Sequence, residues 1–139
     1  MADPQEENRK KLQQKYVEHQ MLEQQLKQMQ HQLEKLESQM QEVATVEKSV
    51  AELSAAKEGD DILVPVSGGI FFKAKVTDAS RFLVNVGAGV VVSKNMEDTI
   101  ALLKEQTHEI DRYRELVSKQ LIQYIEAHQQ LENDIKSIM

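Results

Sequence analysis

"FLVNVGAGVVVSKNMED", residues 82–98, joins two short valine-rich runs at Gly87-Ala88-Gly89 and passes straight into a helix start. Val84 and Val86 lie before the glycines, and Val90, Val91 and Val92 after them. β-branched runs that meet at positions tolerant of positive φ predict a hairpin. Asn95 follows as a helix cap, with Asp98 three residues on. A small β element therefore leads without a linker into a long helix, and the residues on either side of it decide the fold.

Upstream, "KEGDD" is a polar break, after which "ILVPVS", "GG" and "IFFKAKV" read as strand, turn and strand. "TDASR" is a second turn. Residues 57–94 thus hold two β-hairpins in series. Strict alternation would put Ile62, Val64 and Val66 on one face, with Ile70, Phe72, Ala74 and Val76 on one face of the next strand. Phe82, Val84 and Val86 share a face in the same way. The opposite faces are not polar, since Leu63, Phe71, Leu83 and Val91 fall there.

Both flanks read as helices. Asp3-Pro4 opens the first, with Asp3 able to cap, Pro4 suited to the first turn and Glu6 placed as in a capping box. From there to Gly59 the chain has neither proline nor glycine. Its seam runs Leu12, Lys15, His19, Leu22, Leu26, Met29, Leu33, Leu36, Met40, Val43, Glu47, Val50. The steps alternate between three and four, the period of a left-handed coiled coil. A helix over residues 4–56 would be roughly 75–80 Å long at about 1.5 Å per residue. The second seam, over 95–139, runs Met96, Ile100, Leu103, Thr107, Ile110, Arg114, Val117, Leu121, Tyr124, His128, Leu131, Ile135, Ile138.

Two such helices joined by a compact insert fold back on each other. In an antiparallel pair, facing residue numbers have a constant sum. The register that sets Val50 against Ile100 also sets Met40 against Ile110, Leu33 against Val117, Leu22 against His128 and Leu12 against Ile138. In that register Arg114 comes beside Glu37, Glu47 beside Lys104 and Lys15 beside Asp134. The fold class expected is mainly α: a long antiparallel two-helix coiled coil joined by two β-hairpins that oligomerise into a barrel-like platform. Isolated hairpins are marginal in water and their edges carry unpaired backbone groups, so hairpins from several chains are expected to complete each other. The assembly residues are Leu63, Val64, Val66, Phe71, Phe72, Leu83, Val84, Val86, Val90, Val91 and Val92.

Composition narrows the function. A formal net charge of −6 argues against nucleic acid and against anionic lipid as partners. The chain lacks cysteine, so it has no disulfide framework and no thiolate site. No apolar run reaches the roughly 20 residues of a membrane span. The start, "MADPQEENRKK", lacks the apolar run of a signal peptide, and a cytoplasmic protein is expected. Gly87-Ala88-Gly89 lacks the further glycine and the Lys-Ser/Thr of a phosphate loop. No catalytic constellation is present, so an enzyme is not expected, nor are a cofactor and a metal. His19 and His128 fall one layer apart, with Glu23 close by. Zinc asks for three or four ligands in an enforced geometry, and the pair reads better as a polar seam layer that could loosen the helix ends at low pH.

With "ILVPVSGGIFFKAKV" (62–76) and "FLVNVGAGVVVSKNMEDTIALL" (82–103) set between heptad helices, the chain resembles the prefoldin family, and within it the alpha class of the archaeal type. Two hairpins are alpha-like, because beta-class subunits carry one shorter hairpin. The resemblance implies a hexamer of two alpha-class and four beta-class subunits, with a double-barrel platform and free coiled-coil arms. It implies an ATP-independent chaperone whose arm tips hold non-native polypeptides and deliver them to a group II chaperonin. The client-binding candidates are apolar residues near the two termini: Leu12, Tyr16, Val17, Met21, Ile122, Ile125, Leu131, Ile135, Ile138 and Met139. Some lie off the seam and some in the last layers, where coils fray. The competing readings are a structural coiled-coil tether or spacer with homotypic β assembly, and an adaptor for one dedicated partner.

Overall fold

The computed structural model describes residues 3–139. The order is α1 (Pro4–Leu53), β1 (Asp61–Ser67), β2 (Ile70–Lys75), β3 (Arg81–Gly87), β4 (Val90–Asn95) and α2 (Met96–Ile138). Internal contacts divide the chain into two units. One joins residues up to Gln39 with Ile110–Met139, and the other is Met40–Glu109.

The first unit is a pair of antiparallel helix segments. On α1 the covered positions here are Leu12, Lys15, His19, Leu22, Leu26, Met29, Leu33 and Leu36, all half-buried, while their neighbours are exposed. This is the seam that the three-and-four spacing predicts. On α2, Val117, Leu131 and Ile135 are buried, and Leu121, Tyr124, His128 and Ile138 half-buried. Three contacts fix the direction and register: Lys15 Nζ lies 3.3 Å from Asp134, His19 Nε2 lies 3.3 Å from Glu132, and the rings of His19 and His128 stack with centroids 4.3 Å apart. At the start of α1 the Asp3 side chain accepts the Gln5 N–H at 3.2 Å, the capping role expected of it. Arg114 departs from expectation. Its guanidinium pairs with Asp111, one turn back on its own helix, at 2.6 Å, and no ion pair with Glu37 forms. A partner three residues away needs little ordering of long side chains, and here that local pair prevails over the one across the seam.

The second unit contains the other ends of both helices and the two hairpins. Val50 and Leu103 are its buried apolar residues, and Met40, Val43, Glu47, Ile100 and Thr107 are half-buried along the expected seam. Met96 is the exception, at 36% exposed. The expected Glu47–Lys104 pair is not formed among the ion pairs of the described residues. The first helix stops at Leu53 rather than 56: Ala55 N–H bonds Glu52 and Ala56 N–H bonds Leu53, a tightened three-residue turn. Strand β4 runs one residue past the expected limit, to Asn95, whose side chain then accepts the Asp98 N–H at 2.8 Å. The Asn95 carbonyl accepts the hydroxyl of the buried Thr99 at 2.7 Å. One residue thus ends a strand and caps a helix, which explains the missing linker.

Each hairpin is a separate two-stranded antiparallel sheet. The two follow one plan at a constant offset. Asp61 pairs with Lys75 as Arg81 pairs with Asn95, Val64 with Phe72 as Val84 with Val92, and Ser67 with Ile70 as Gly87 with Val90. Both also carry a register shift at the same place, between Pro65 and Ser67 and between Asn85 and Gly87. Val66 and Val86 are the extra residues, so the strict alternation expected through them is broken by a β-bulge. Both turns have two residues at positive φ: Gly68 (57°) with Gly69 (81°), and Ala88 (51°) with Gly89 (73°). That is the primed turn whose twist matches the strands.

Candidate functional site

The hairpins have apolar surface on both faces and cover little of it. Ile62, Val76 and Phe82 gather beside Leu53 and Ala56, and this is the covered side. Of the residues expected to serve assembly, Leu63, Val64, Val66, Phe71, Phe72, Leu83, Val86, Val90, Val91 and Val92 are exposed, Leu83 at 79%. Val84 alone of that set is half-buried, because it shares the covered face with Phe82. Ile70, just after the first turn, is 65% exposed and belongs with them, although sequence reasoning placed it on a strand face without counting it among the assembly residues. Cross-strand pairs such as Val64–Phe72, Pro65–Phe71 and Asn85–Val91 align these side chains in rows. Contiguous apolar surface of this kind on a small element marks an interaction site. Each strand also has one ladder edge unused by its hairpin, and an unpaired edge accepts a further strand.

The turn between the hairpins is tied by Asp78, which accepts the Ser80 hydroxyl at 2.6 Å and the Ser80 N–H at 2.9 Å. The Ser80 hydroxyl and then the Ser80 amide hold the Asp78 carboxyl below its ordinary value, with help from the Arg81 charge. Arg81 reaches across to Ser93, donating to its hydroxyl at 3.1 Å and its carbonyl at 3.2 Å, so β3 and β4 are pinned at their base.

The client-binding candidates divide into three groups. Tyr16, Val17, Met21, Ile122, Ile125 and Met139 are exposed, Met139 at 77%, and Tyr16 Oη lies 3.9 Å from Met139 Sδ. Leu12 and Ile138 are half-buried. Leu131 and Ile135, at 6% and 7% exposed, are among the best-covered residues of α2 and are not offered by the paired helices. Helical spacing explains the difference, since both stand on the seam and are packed by α1. Apolar exposure also extends away from the termini, to Tyr113 and Leu116.

His19 and His128 approach as the seam predicts, with Glu23 beside them. Sequence reasoning missed Glu132, which lies 3.3 Å from His19 Nε2 and 3.8 Å from His128 Nδ1. The signal was available: each helix carries a histidine followed four residues later by a glutamate.

Comparison with known proteins agrees with this geometry. The family model described as "Prefoldin subunit" matches residues 22–139. The prefoldin subunit alpha of Methanococcus aeolicus is 28% identical over 125 residues, 90% of this chain and 85% of that protein. Prefoldin subunit alpha 1 of Thermococcus kodakarensis is 33% identical over 103 residues, 74% of this chain and 70% of that one. Among solved structures, the filamentous PFD of Methanocaldococcus jannaschii superposes with a TM-score of 0.74 at 15% identity, covering 83% of this chain and 95% of that chain, which is agreement in fold.

Proposed function

The chain belongs to the prefoldin family, in its archaeal-type alpha class, and from that premise we propose that it is an ATP-independent holding chaperone, acting as one subunit of a hetero-oligomer. The family is one of chaperones rather than enzymes. The hairpins join this chain to other prefoldin subunits, four beta-class copies serving two of this kind. The terminal part of the helix pair takes non-native polypeptides in the cytoplasm and passes them to a group II chaperonin. Among the described residues no helix is long and apolar enough to cross a membrane.

The observation that carries the proposal is the set of exposed apolar side chains at the terminal end of the helix pair: Tyr16, Val17, Met21, Ile122, Ile125 and Met139. Flexible, scattered apolar groups bind many sequences weakly, and methionine adapts its shape to each. The test is suppression of aggregation of a denatured model protein. Removal of residues 1–22 and 125–139, or replacement of Val17, Met21, Ile122 and Ile125 by serine, leaves the oligomer intact and abolishes holding. Undiminished holding by both variants refutes the assignment. The filamentous state of the Methanocaldococcus jannaschii protein supports a second reading, a structural tether built by homotypic β assembly. In that case the chain alone forms large assemblies and suppresses no aggregation.

A further inference from the structure

On the first unit, His19 and Glu23 stand four residues apart on α1, and His128 and Glu132 four apart on α2. Each pair therefore projects from one helix face. The two pairs meet with near two-fold symmetry. Glu23 Oε1 lies 3.8 Å from His19 Nδ1 and 3.7 Å from His128 Nε2, while Glu132 Oε1 lies 3.3 Å from His19 Nε2 and 3.8 Å from His128 Nδ1. Each imidazole thus has a carboxylate at both nitrogens.

That arrangement leaves the hydrogen bonding of two neutral rings unbalanced. A neutral imidazole has one N–H and one lone pair, and an ionised carboxylate only accepts. Each neutral ring can satisfy one carboxylate and must turn a lone pair toward the other. Doubly protonated rings would satisfy both, but would set two cations face to face with centroids 4.3 Å apart. His128 Nε2, on the Glu23 side, is buried and has no hydrogen-bond partner. Buried polar atoms in folded proteins seldom lack one. On that same side, ligand atoms of His19, Glu23 and His128 all fall within 4.8 Å of one another.

We propose that His19 Nδ1, His128 Nε2 and the Glu23 carboxylate bind a divalent transition-metal ion of the zinc class. The remaining ring N–H groups then both face Glu132, with His19 Nε2 at hydrogen-bond distance (3.3 Å) and His128 Nδ1 at 3.8 Å, which puts Glu132 in the place of the outer carboxylate that fixes ring tautomer and orientation in histidine–metal sites. Two imidazoles and a carboxylate favour zinc, cobalt, nickel or copper over magnesium and calcium. Bonds of about 2.0–2.2 Å require the three side chains to draw together, which two half-buried imidazoles and an exposed carboxylate on a helix-pair surface can do. The ion would staple α1 to α2 beside the apolar residues of the terminal end. The sequence alone offered three groups and a polar layer, and Glu132 is what completes the set.

The test uses the full chain, stripped with a chelator and titrated calorimetrically with zinc chloride. Saturable binding of a single equivalent is expected, with a rise in melting temperature that magnesium chloride does not reproduce. Cobalt should give the visible absorption of a low-coordinate site. His128→Leu restores an apolar seam layer and so folds, yet must lose the zinc response. Glu132→Gln should weaken binding about 10–100-fold, as outer-shell changes do. Replacement of the exposed His31 and His108 by glutamine should change nothing. Absence of saturable binding, or binding that survives His128→Leu, overturns the proposal.

Discussion

Leu83 is the sharpest probe of the assembly surface. It is 79% exposed and pairs across the ladder with Ser93, so its side chain supports little within the chain. Substitutions at such positions usually change monomer stability by less than about 0.5 kcal/mol. Full burial of a leucine side chain stabilises by about 1.5–3 kcal/mol. With four-fifths of the residue still open to water, docking against another subunit should yield about 1–2.5 kcal/mol per copy. Leu83→Ala should therefore raise the dissociation constant roughly 5–70-fold, at about 1.4 kcal/mol per decade. Leu63 holds the same place in the first hairpin, is less exposed at 62%, and should show a smaller loss. Leu83→Asp adds the cost of removing a carboxylate from water and should abolish assembly at micromolar concentration. Light scattering and sedimentation over a range of concentrations, for the chain alone and mixed with a beta-class subunit, read these effects. Unchanged circular dichroism of the variant shows that the fold is kept. A Leu83→Asp chain that assembles like the parent at every concentration would refute the assignment of this face.

Two further outcomes test the hairpins themselves. Ala88 sits at φ 51° where the equivalent Gly68 meets no steric penalty, and a Cβ at any of these turn glycines would touch nothing. The strain is then wholly in the backbone and is partly offset by the freer unfolded chain that glycine gives, so Ala88→Gly should stabilise by about 0.5–1 kcal/mol and Gly68→Ala destabilise by a similar amount, read as opposite shifts in thermal melts. Asp78, bonded to the Ser80 hydroxyl and amide, has a lowered folded pKa, so its contribution is present above the ordinary aspartate value and lost as pH falls through the folded one. The Ser80 amide resonance should titrate with a midpoint below that of aspartate in a short peptide. A midpoint at or above it would sink the idea.

Much of this molecule is written in periodicity. Every α1 seam position from Leu12 to Val50 is half-buried or buried, because a three-and-four spacing leaves the apolar stripe one place to go. Glycine at positive φ made the two turns equally legible. The bulges were not, because alternation presumes an unbroken ladder and nothing in Pro65-Val66 or Asn85-Val86 announces an extra residue. Arg114 was misassigned because layer-by-layer pairing ignores a closer acid on the same helix, Asp111. The apolar face of the hairpins could be read because both strand faces are greasy. Leu131 and Ile135 could not be sorted from Tyr16 and Met21 by apolarity alone, since only packing tells which of them water reaches.

Among the described residues no side chain is entombed: even the best-covered apolar ones, Val117 and Leu131, keep 6% of their surface in contact with solvent. A protein held this way has no keystone. In the helix pair each rung touches chiefly the rungs above and below it, so stability accrues by nearest neighbours, as in a stack of repeats. Insertion or deletion of seven residues at matching levels of both helices should then change reach by one increment and melting temperature by a small step, leaving every other rung as it was. Length, on this account, is a dial that evolution can turn without redesigning anything else.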